Sequence, residues 1–173
     1  DAADSANSPN NGYRPGDLKF KDINGDKKIS DLDRTIIGNP TPKSIFGFSF
    51  GVNYKGFDLG IDLQGVSGNQ IYRTWGNGAN YARLTYRAER LNRWNGPGTS
   101  NTEPWINDFS ASNQLASTYM IEDGSYLRIR NLQLGYTFSP SLLTKVHIKS
   151  ARLYLSAQNL KTFKHNTGYT PEF

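Results

Sequence analysis

The segment DINGDKKISDLD, residues 22–33, carries the residue types and spacing of a calcium-binding loop. A hard cation such as Ca²⁺ takes about six or more oxygen ligands, and alternate residues of a tight loop point those oxygens inward. The pattern predicts side-chain oxygens from most ligand positions and a backbone carbonyl from one of them, Lys28. The predicted ligands are Asp22, Asn24, Asp26, Lys28, Ser30 and Asp33.

Two residues depart from the usual form of this loop. Lys27 stands where a glycine commonly makes the sharp turn, and Asp33 stands where a longer glutamate commonly binds with both oxygens. The alternative interpretation is an Asx-rich turn whose carboxylates accept hydrogen bonds from their own backbone amides. For bound Ca²⁺ we expect a structural role in pinning an exterior loop, with a weak affinity of roughly 10⁻⁴ to 10⁻³ M.

Four aromatic residues in the polar middle of the chain are candidate contacts for a substrate or a partner protein. Aromatic faces stack on sugar rings and give large contact areas at low entropic cost. The simpler interpretation for each residue is packing within loops. The candidates are Tyr72, Trp75, Trp94 and Trp105.

The residues of the chain do not predict an enzyme. The chain has no cysteine and lacks HExxH and phosphate-loop motifs. Glu122 and Asp123 are adjacent, so on a strand their carboxylates would point to opposite faces and could not share a substrate. His147 and His165 lie far apart without a further ligand at zinc spacing, which predicts solvent exposure for both.

Composition narrows the class of protein. The 173 residues carry a formal net charge of +5, but Lys and Arg are scattered, so nucleic-acid binding is not predicted. Mean hydropathy is −0.64, and no apolar run approaches the roughly 18 residues that a membrane-spanning helix requires. Residues 1–16 lack apolar periodicity and predict a flexible segment, which leaves 17–173 as the folded portion.

Alternating residues predict antiparallel strands as the elements that position these side chains. SIFGFSFGVNY alternates aromatic with small polar residues, and FDLGIDLQG alternates apolar with polar ones. Lys55 and Gly56 between them predict a two-residue hairpin turn. SYLRIRNLQLGYTF and ARLYLSAQNL predict two more strands, the first with a β-bulge where its phase changes near Arg130 and Asn131. A short helix is predicted near YARLTYRAERLNRW.

The connections between these strands favour a membrane barrel. A tight turn follows the first strand, and a long polar segment, 66–118, follows the second, an asymmetry typical of outer-membrane barrels with short periplasmic turns and long exterior loops. On this basis 17–43, 66–118 and 160–173 would face the exterior. Four aromatic residues would lie near the periplasmic interface: Tyr54, Phe57, Tyr136 and Phe138. The alternative is a soluble, calcium-stabilised β-sandwich module that binds carbohydrate, because sandwich strands also alternate.

Several stretches in order resemble the SusC/RagA family of TonB-dependent transporters. The resemblance covers roughly residues 12–172 and includes the segment from NGYRPGDLKF to QGVSGNQIY, the NRW region, IEDGSYLRIRNLQLGYTF and ARLYLSAQNLKTFKHNTGYTPE. In the family the GYTPE segment precedes the strands that close the barrel, whereas this chain stops at Phe173, so we expect a carboxy-terminal piece of the barrel.

The resemblance implies a fold, a location and partners. The fold is all-β, with antiparallel strands that form part of a barrel of about 22 strands, completed by strands outside this chain. The location is the outer membrane of a Gram-negative bacterium, with lipid around the barrel. The implied partners are a SusD-like lipoprotein lid and, through an upstream part, TonB. The implied activity is import of glycans or peptides.

Overall fold

The computed structural model describes residues 14–73, 88–106 and 112–168. These residues divide into two compact units, one drawn from the chain up to residue 37 and from 73–120, the other from 38–72 and from 121 onward. Six strands occur in the described ranges, and we number them β1 Ser44–Tyr54, β2 Phe57–Ser67, β3 Gln70–Tyr72, β4 Ile121–Asp123, β5 Tyr126–Thr137 and β6 Arg152–Lys164. The α-helix α1 is Pro140–Leu143, and the 3₁₀ helices are Asp31–Asp33, Ala88–Asn92, Ser112–Gln114, Thr118–Met120 and Thr144–Val146.

The second unit is built on a four-stranded antiparallel sheet in the order β1-β2-β5-β6. A smaller two-stranded sheet pairs β3 with β4. Strand β3 follows β2 after Gly68 and Asn69, and β4 precedes β5 by Gly124 and Ser125. The Gly124 amide donates to the Asn69 carbonyl at 2.9 Å, so the two strand pairs form one long ribbon with an irregular step.

The turn between β1 and β2 confirms the predicted hairpin. Lys55 and Gly56 have φ of 47° and 88°, and positive φ at both central residues is the geometry that matches the twist of the flanking strands. A side chain at Gly56 would lie 2.7 Å from the Thr137 carbonyl oxygen, so the turn packs directly against the end of β5.

The predicted β-bulge is also confirmed. The register between β2 and β5 shifts so that Asp62 pairs with Asn131 and Leu63 pairs with Ile129, which leaves Arg130 without a partner position. On β6 the same shift is accommodated at Asn159, whose φ is 51°. Because of the bulge, the apolar side chains of β5 before and after Arg130 lie on the same face of the sheet.

The strand register gathers the large apolar side chains on one face of the four-stranded sheet, which we call the apolar face. Phe48 pairs with Leu63 and Phe50 with Ile61, and each pair continues onto β5 and β6. The paired positions of the apolar face in the four strands are Ser44, Phe46, Phe48, Phe50, Val52, Tyr54, Phe57, Leu59, Ile61, Leu63, Gly65, Ser67, Leu127, Ile129, Leu132, Leu134, Tyr136, Leu153, Leu155, Ala157, Lys161 and Phe163.

The apolar face is largely uncovered. Phe48 is 59% exposed and Leu155 is 75% exposed. The buried apolar residues in the described part of the chain are Val66, Met120, Tyr126 and Leu143, and none of them belongs to the apolar face. A sandwich would bury this face against a second sheet. The structure therefore contradicts the alternative of a self-contained β-sandwich.

The opposite face of the sheet, which we call the polar face, is linked by hydrogen bonds and an ion pair. Arg152 Nη2 lies 2.6 Å from Asp58 Oδ2. Asn131 donates to Asp62 at 3.4 Å, and Arg128 donates through Nε to the Thr162 hydroxyl at 3.1 Å. These contacts join β2, β5 and β6 across the sheet.

Some boundaries differ from the sequence predictions. Strand β6 continues through Lys164, so 160–164 belongs to the sheet and not to an exterior loop. Strand β2 runs to Ser67, and β3 occupies part of the predicted long loop. Of the predicted helix, 88–92 is a 3₁₀ helix and 81–87 lies outside the described residues, as does most of the predicted flexible segment. Within the described ranges, no helix has the length and apolar character needed to cross a membrane.

Candidate functional site

The predicted calcium loop is closed by hydrogen bonds from its own backbone. Asp22 accepts from the amides of Gly25 and Lys27, both at 2.7 Å. The Asn24 side-chain oxygen accepts from the Asp26 amide at 2.9 Å, and Asp26 accepts from the Lys28 amide at 2.8 Å. These bonds form the Asx-rich turn that was the alternative interpretation of the motif.

Asp33 ties the end of the loop to its beginning. Its carboxylate accepts from the amides of Ser30 and Ile23, each at 2.8 Å, and Ser30 in return caps the 3₁₀ helix Asp31–Asp33. The bonds from Ser30 and then Ile23 hold the pKa of the Asp33 carboxyl below its ordinary value. Those amide hydrogen bonds favour the charged form of the Asp33 carboxyl.

The loop places a lysine in the backbone conformation of a glycine. Lys27 has φ of 65°, the left-handed region that a glycine at this position would adopt without strain. Among the described residues, no group of three or more His, Cys, Asp or Glu side chains is arranged to hold a metal ion. The predicted ligand residues all lie in this one loop, but Ca²⁺ binding there stays a prediction.

Two of the candidate aromatic residues pack within the first unit. A side chain added at Gly16 would lie 2.5 Å from the Trp94 ring, so this ring covers the Gly16 backbone. The Trp105 amide donates to the Gly16 carbonyl at 2.8 Å, while the Trp105 side chain is 36% exposed. Tyr72 ends β3 and is also exposed, and Trp75 lies outside the described residues. Substrate or partner contacts by these four residues stay a prediction.

Sequence reasoning missed a buried polar cluster in the same unit. Arg73 and Arg90 are 2% and 6% exposed, and their guanidinium carbons lie 4.7 and 5.8 Å from the centre of the Tyr119 ring. The Tyr119 hydroxyl donates to Glu103 at 2.7 Å, and Arg90 Nε lies 3.8 Å from the same carboxylate. No periodic signal joins residues so distant in sequence, so the pattern alone could not reveal the cluster.

The Tyr119 hydroxyl stays protonated in this cluster. Burial is the main cause that raises its pKa above the ordinary value, and the hydrogen bond to Glu103 acts in the same direction. The guanidinium of Arg90 opposes the shift without cancelling it. The neutral Tyr119 hydroxyl lies between the Glu103 carboxylate and the two arginine side chains. As a hydrogen-bond donor it fixes the geometry of this cluster.

The remaining polar candidates hold chain segments of the second unit together. Glu122 accepts from both the amide and the hydroxyl of Thr167, at 2.8 and 2.7 Å. Asp123 lies 3.7 Å from His165, whose side chain is exposed. The adjacent carboxylates thus have separate partners, as their positions on a strand predict. His147 is also exposed, as predicted.

Sequence comparison and structure comparison find the chain similar to proteins of the same kind. No protein-family model matches the sequence. The TonB-dependent receptor P3 of Formosa agariphila is 37% identical over 163 residues, which covers 91% of this chain and 16% of that protein. The TonB-dependent receptor SusC of Bacteroides thetaiotaomicron is 27% identical over 161 residues, which covers 92% of this chain and 16% of that receptor.

Solved structures of one transport system resemble the chain. The structure of the RagAB peptide transporter superposes with a TM-score of 0.64 at 28% identity and covers 91% of this chain and 17% of that one. The RagAB peptide importer in its closed-closed state gives a TM-score of 0.64 at 29% identity, with 91% and 18% covered. The chain spans about 16% of the length of the curated relatives it matches. This chain therefore belongs to the SusC/RagA family of TonB-dependent receptors and represents a segment of their β-barrel.

Proposed function

We propose that this chain forms part of the wall of an outer-membrane barrel that imports nutrients, its apolar face against lipid and its polar face against an aqueous passage. The observation that carries the proposal is the uncovered apolar face, continuous over β1, β2, β5 and β6. In a barrel wall, apolar side chains point to hydrocarbon and polar side chains to the lumen. Sheet edges are avoided in hydrocarbon because unpaired backbone groups are costly there, so β1 and β6 would pair with further strands of the whole receptor.

The proposal extends to substrates and partners of the whole receptor. The similar solved structures are named as a peptide importer, and the SusC resemblance implies glycans as the other substrate class. An extracellular SusD-like lipoprotein would cover the barrel, and TonB would act through a part outside this chain. The polar face supports passage of a hydrated solute, since it carries an ion pair, Asp58 with Arg152, and hydrogen-bonded polar side chains.

Uptake by cells that produce the whole receptor tests the proposed function. Deletion of the receptor gene should abolish uptake of labelled oligopeptides or of labelled oligosaccharides, and a plasmid copy should restore it. A copy with Ser49→Arg on the polar face should reach the outer membrane at the wild-type level, whereas Phe50→Arg on the apolar face should reach it at a reduced level. Unchanged uptake of both solute classes after deletion would contradict the proposal.

We also propose that residues 22–33 bind Ca²⁺ as a structural ion. The support is chemical: five side chains with hard oxygen donors stand at the ligand positions, and Lys27 adopts the turn conformation that the loop requires. Calorimetric titration of the whole receptor with Ca²⁺ should show binding that is lost in Asp22→Ala plus Asp26→Ala. Equal heats for the two proteins would leave the Asx-rich turn as the full description of the loop.

A further inference from the structure

The tight turn between β1 and β2 holds a lysine ammonium on the same side of the sheet as the apolar face. The Lys55 ammonium nitrogen lies 5.2 Å from the centre of the Tyr54 ring. Tyr54 pairs with Phe57 and belongs to the apolar face, so the ammonium lies on that side as well. Lys55 is exposed, and the two aromatic residues are 67% and 56% exposed. A cation over a tyrosine ring keeps its charge and its hydrogen-bond donors, so Lys55 remains able to bind an anion.

The aromatic residues next to this turn form one cluster on the apolar face. The centres of the Phe57 and Tyr136 rings lie 4.5 Å apart, and the centres of the Tyr136 and Phe138 rings lie 5.0 Å apart. Aromatic rings, those with a polar tip above all, are enriched where a membrane barrel meets the lipid headgroups. Together with Tyr54, these residues therefore have the composition of a membrane–water interface.

The strand register places Lys55 beyond the Tyr54 row, on the side away from the middle of the sheet. Four row steps separate the Tyr54 row from the Phe46 row near the other end of the apolar face. Each step spans roughly 6.8 Å of strand, so four steps cover about 21 Å of height at a strand tilt near 40°. This height approaches the ~25 Å of the apolar band of a barrel. The Tyr54 row therefore lies at one boundary of the band, and Lys55 lies on the headgroup side of that boundary.

The same end of the sheet carries an excess of positive charge. In residues 54–58 and 136–153, four Lys and Arg side chains accompany a single carboxylate, that of Asp58. Arg152 already engages this carboxylate, with Nη2 2.6 Å from Oδ2. Among the residues that the structure describes, no ion pair joins the other three cations to a carboxylate. These three exposed cations are Lys55, Lys145 and Lys149.

The connection between β5 and β6 places exposed apolar side chains near two of these lysines in the sequence. Leu142 is 55% exposed, and Ile148 is 48% exposed. The Phe138 amide donates to the Ala151 carbonyl at 3.0 Å, so the connection begins and ends beside the aromatic cluster. Apolar and cationic side chains exposed in one segment favour contact with an anionic membrane surface.

We propose that Lys55 and Tyr54 bind the headgroup of an anionic phospholipid, with its phosphate on the ammonium and its acyl chains on the apolar rows below. The inference rests on the proposed function, because it requires the apolar face to meet lipid. The first of those rows is uncovered, with Val52 44% exposed and Leu134 50% exposed. A lipid bound in this way directs its phosphate toward water and its chains toward the middle of the bilayer.

The side of the membrane and the apolar rows identify the class of lipid. Short turns of outer-membrane barrels lie on the periplasmic side, and the leaflet on that side consists of phospholipids. Phosphatidylglycerol has one net negative charge, whereas phosphatidylethanolamine has none, so the excess of lysines favours phosphatidylglycerol. The uncovered apolar rows directly below the ammonium favour a lipid over an acidic protein segment, which would need the cations alone.

Native mass spectrometry of the detergent-solubilised whole receptor tests this lipid site. The probes are phosphatidylglycerol and phosphatidylethanolamine with identical acyl chains. We expect the wild type to prefer phosphatidylglycerol, and Lys55→Gln to weaken its binding about fivefold, which corresponds to about 1 kcal/mol for a lysine at a membrane surface. Lys55→Arg should retain the preference. The matched control is Lys43→Gln, which removes an exposed lysine beside the opposite end of β1 and should have no effect.

Three outcomes would overturn the lipid site. The first is equal affinity of the wild type for the two phospholipids, and the second is equal affinity of the wild type and Lys55→Gln for phosphatidylglycerol. The third is normal lipid binding by Lys55→Gln together with lost solute uptake in cells, which would assign Lys55 to a periplasmic protein partner. Membrane fractionation separates these outcomes from failure of the proposed function. A wild-type receptor in the outer-membrane fraction without a preference for phosphatidylglycerol contradicts the lipid site alone, and a receptor absent from that fraction contradicts both proposals.

Discussion

The four-stranded sheet and the segment that contains residues 88–106 distribute polar and apolar groups in opposite ways. The sheet exposes large apolar side chains, with Leu155 75% exposed, while the other segment buries two arginines, Arg73 and Arg90, at 2% and 6% exposure. Soluble domains usually bury apolar residues and expose charges. This difference shows that the sheet has no hydrophobic core of its own and that its stability depends on its surroundings. The segment that contains residues 88–106 is instead held together by buried polar contacts.

The largest effect is expected where a buried cation is removed. Arg90→Met leaves the Glu103 carboxylate, 12% exposed, without its 3.8 Å neighbour, and the loss of one partner of a buried ion pair costs about 3–5 kcal/mol. Hydrogen exchange of the amides in 88–106 in the whole receptor measures this as a fall in the free energy of local opening.

The matched control is an exposed ion pair in the same unit. Arg34 lies 2.8 Å from Asp31, and both side chains are at least 80% exposed. Arg34→Met should change local stability by less than about 1 kcal/mol, because exposed ion pairs contribute little. Equal effects of the two substitutions would contradict the view that the Arg90 cluster holds this segment.

The next effect concerns the two faces of the sheet at adjacent residues. Leu132 lies in the middle row of the apolar face, and Gln133 lies beside it on the polar face. Leu132→Arg should lower the free energy of unfolding of the whole receptor in vesicles by about 2–4 kcal/mol, the cost of arginine at the lipid-facing midplane. Gln133→Arg should stay within about 0.5 kcal/mol. If urea unfolding shows the larger loss of free energy for Gln133→Arg, then residue 133 faces lipid and residue 132 faces the lumen.

A smaller effect is expected from backbone strain in the 22–33 loop. Gly25 has φ of 79° with open space around it, so Gly25→Ala tests conformation without a steric clash. A left-handed non-glycine residue costs roughly 1 kcal/mol. Hydrogen exchange of the loop amides should accelerate in Gly25→Ala and slow in Lys27→Gly. Unchanged exchange rates in both variants would show that backbone strain at residues 25 and 27 does not set the stability of this loop.

The smallest effect is a pH dependence confined to the same loop. The pKa of Asp33 is lowered in the folded loop, so its contribution to stability is present above the unfolded value near 3.9 and is lost as pH falls through the folded value. Hydrogen exchange between about pH 5 and pH 2.5, corrected for intrinsic rates, should show the loop opening in that window. In Asp33→Asn the transition should be absent, and its persistence there would assign the effect to another carboxylate.

The elements of the sheet followed from local patterns. Alternation over 44–54 and 57–65, together with the Lys55 and Gly56 turn, predicts the β1–β2 hairpin except for its last two pairs, which Val66 and Ser67 form. The phase change at Arg130 was sufficient to locate the bulge, because a one-residue slip moves every later side chain to the other face.

The parts that local patterns did not reveal depend on contacts between distant residues. The extension of β6 through Lys164 requires pairing with β5, and Asn159 interrupts the alternation that would have predicted it. The cluster around Tyr119 requires Arg73, 46 residues away along the chain. For the candidate calcium loop, the residue types and the turn were readable from sequence, while the closure of each carboxylate on an amide required coordinates.

The most direct test of the central claim is the surroundings of Leu132 and Gln133 in the assembled receptor. Each position is replaced by a spin-labelled cysteine, and the label's collision rates with oxygen, which concentrates in hydrocarbon, and with a water-soluble nickel complex are compared. We predict that the label at Leu132 meets mainly oxygen and that the label at Gln133 meets mainly the nickel complex. Protection of the Leu132 label from both agents would show that the apolar face is buried inside protein and would contradict the account.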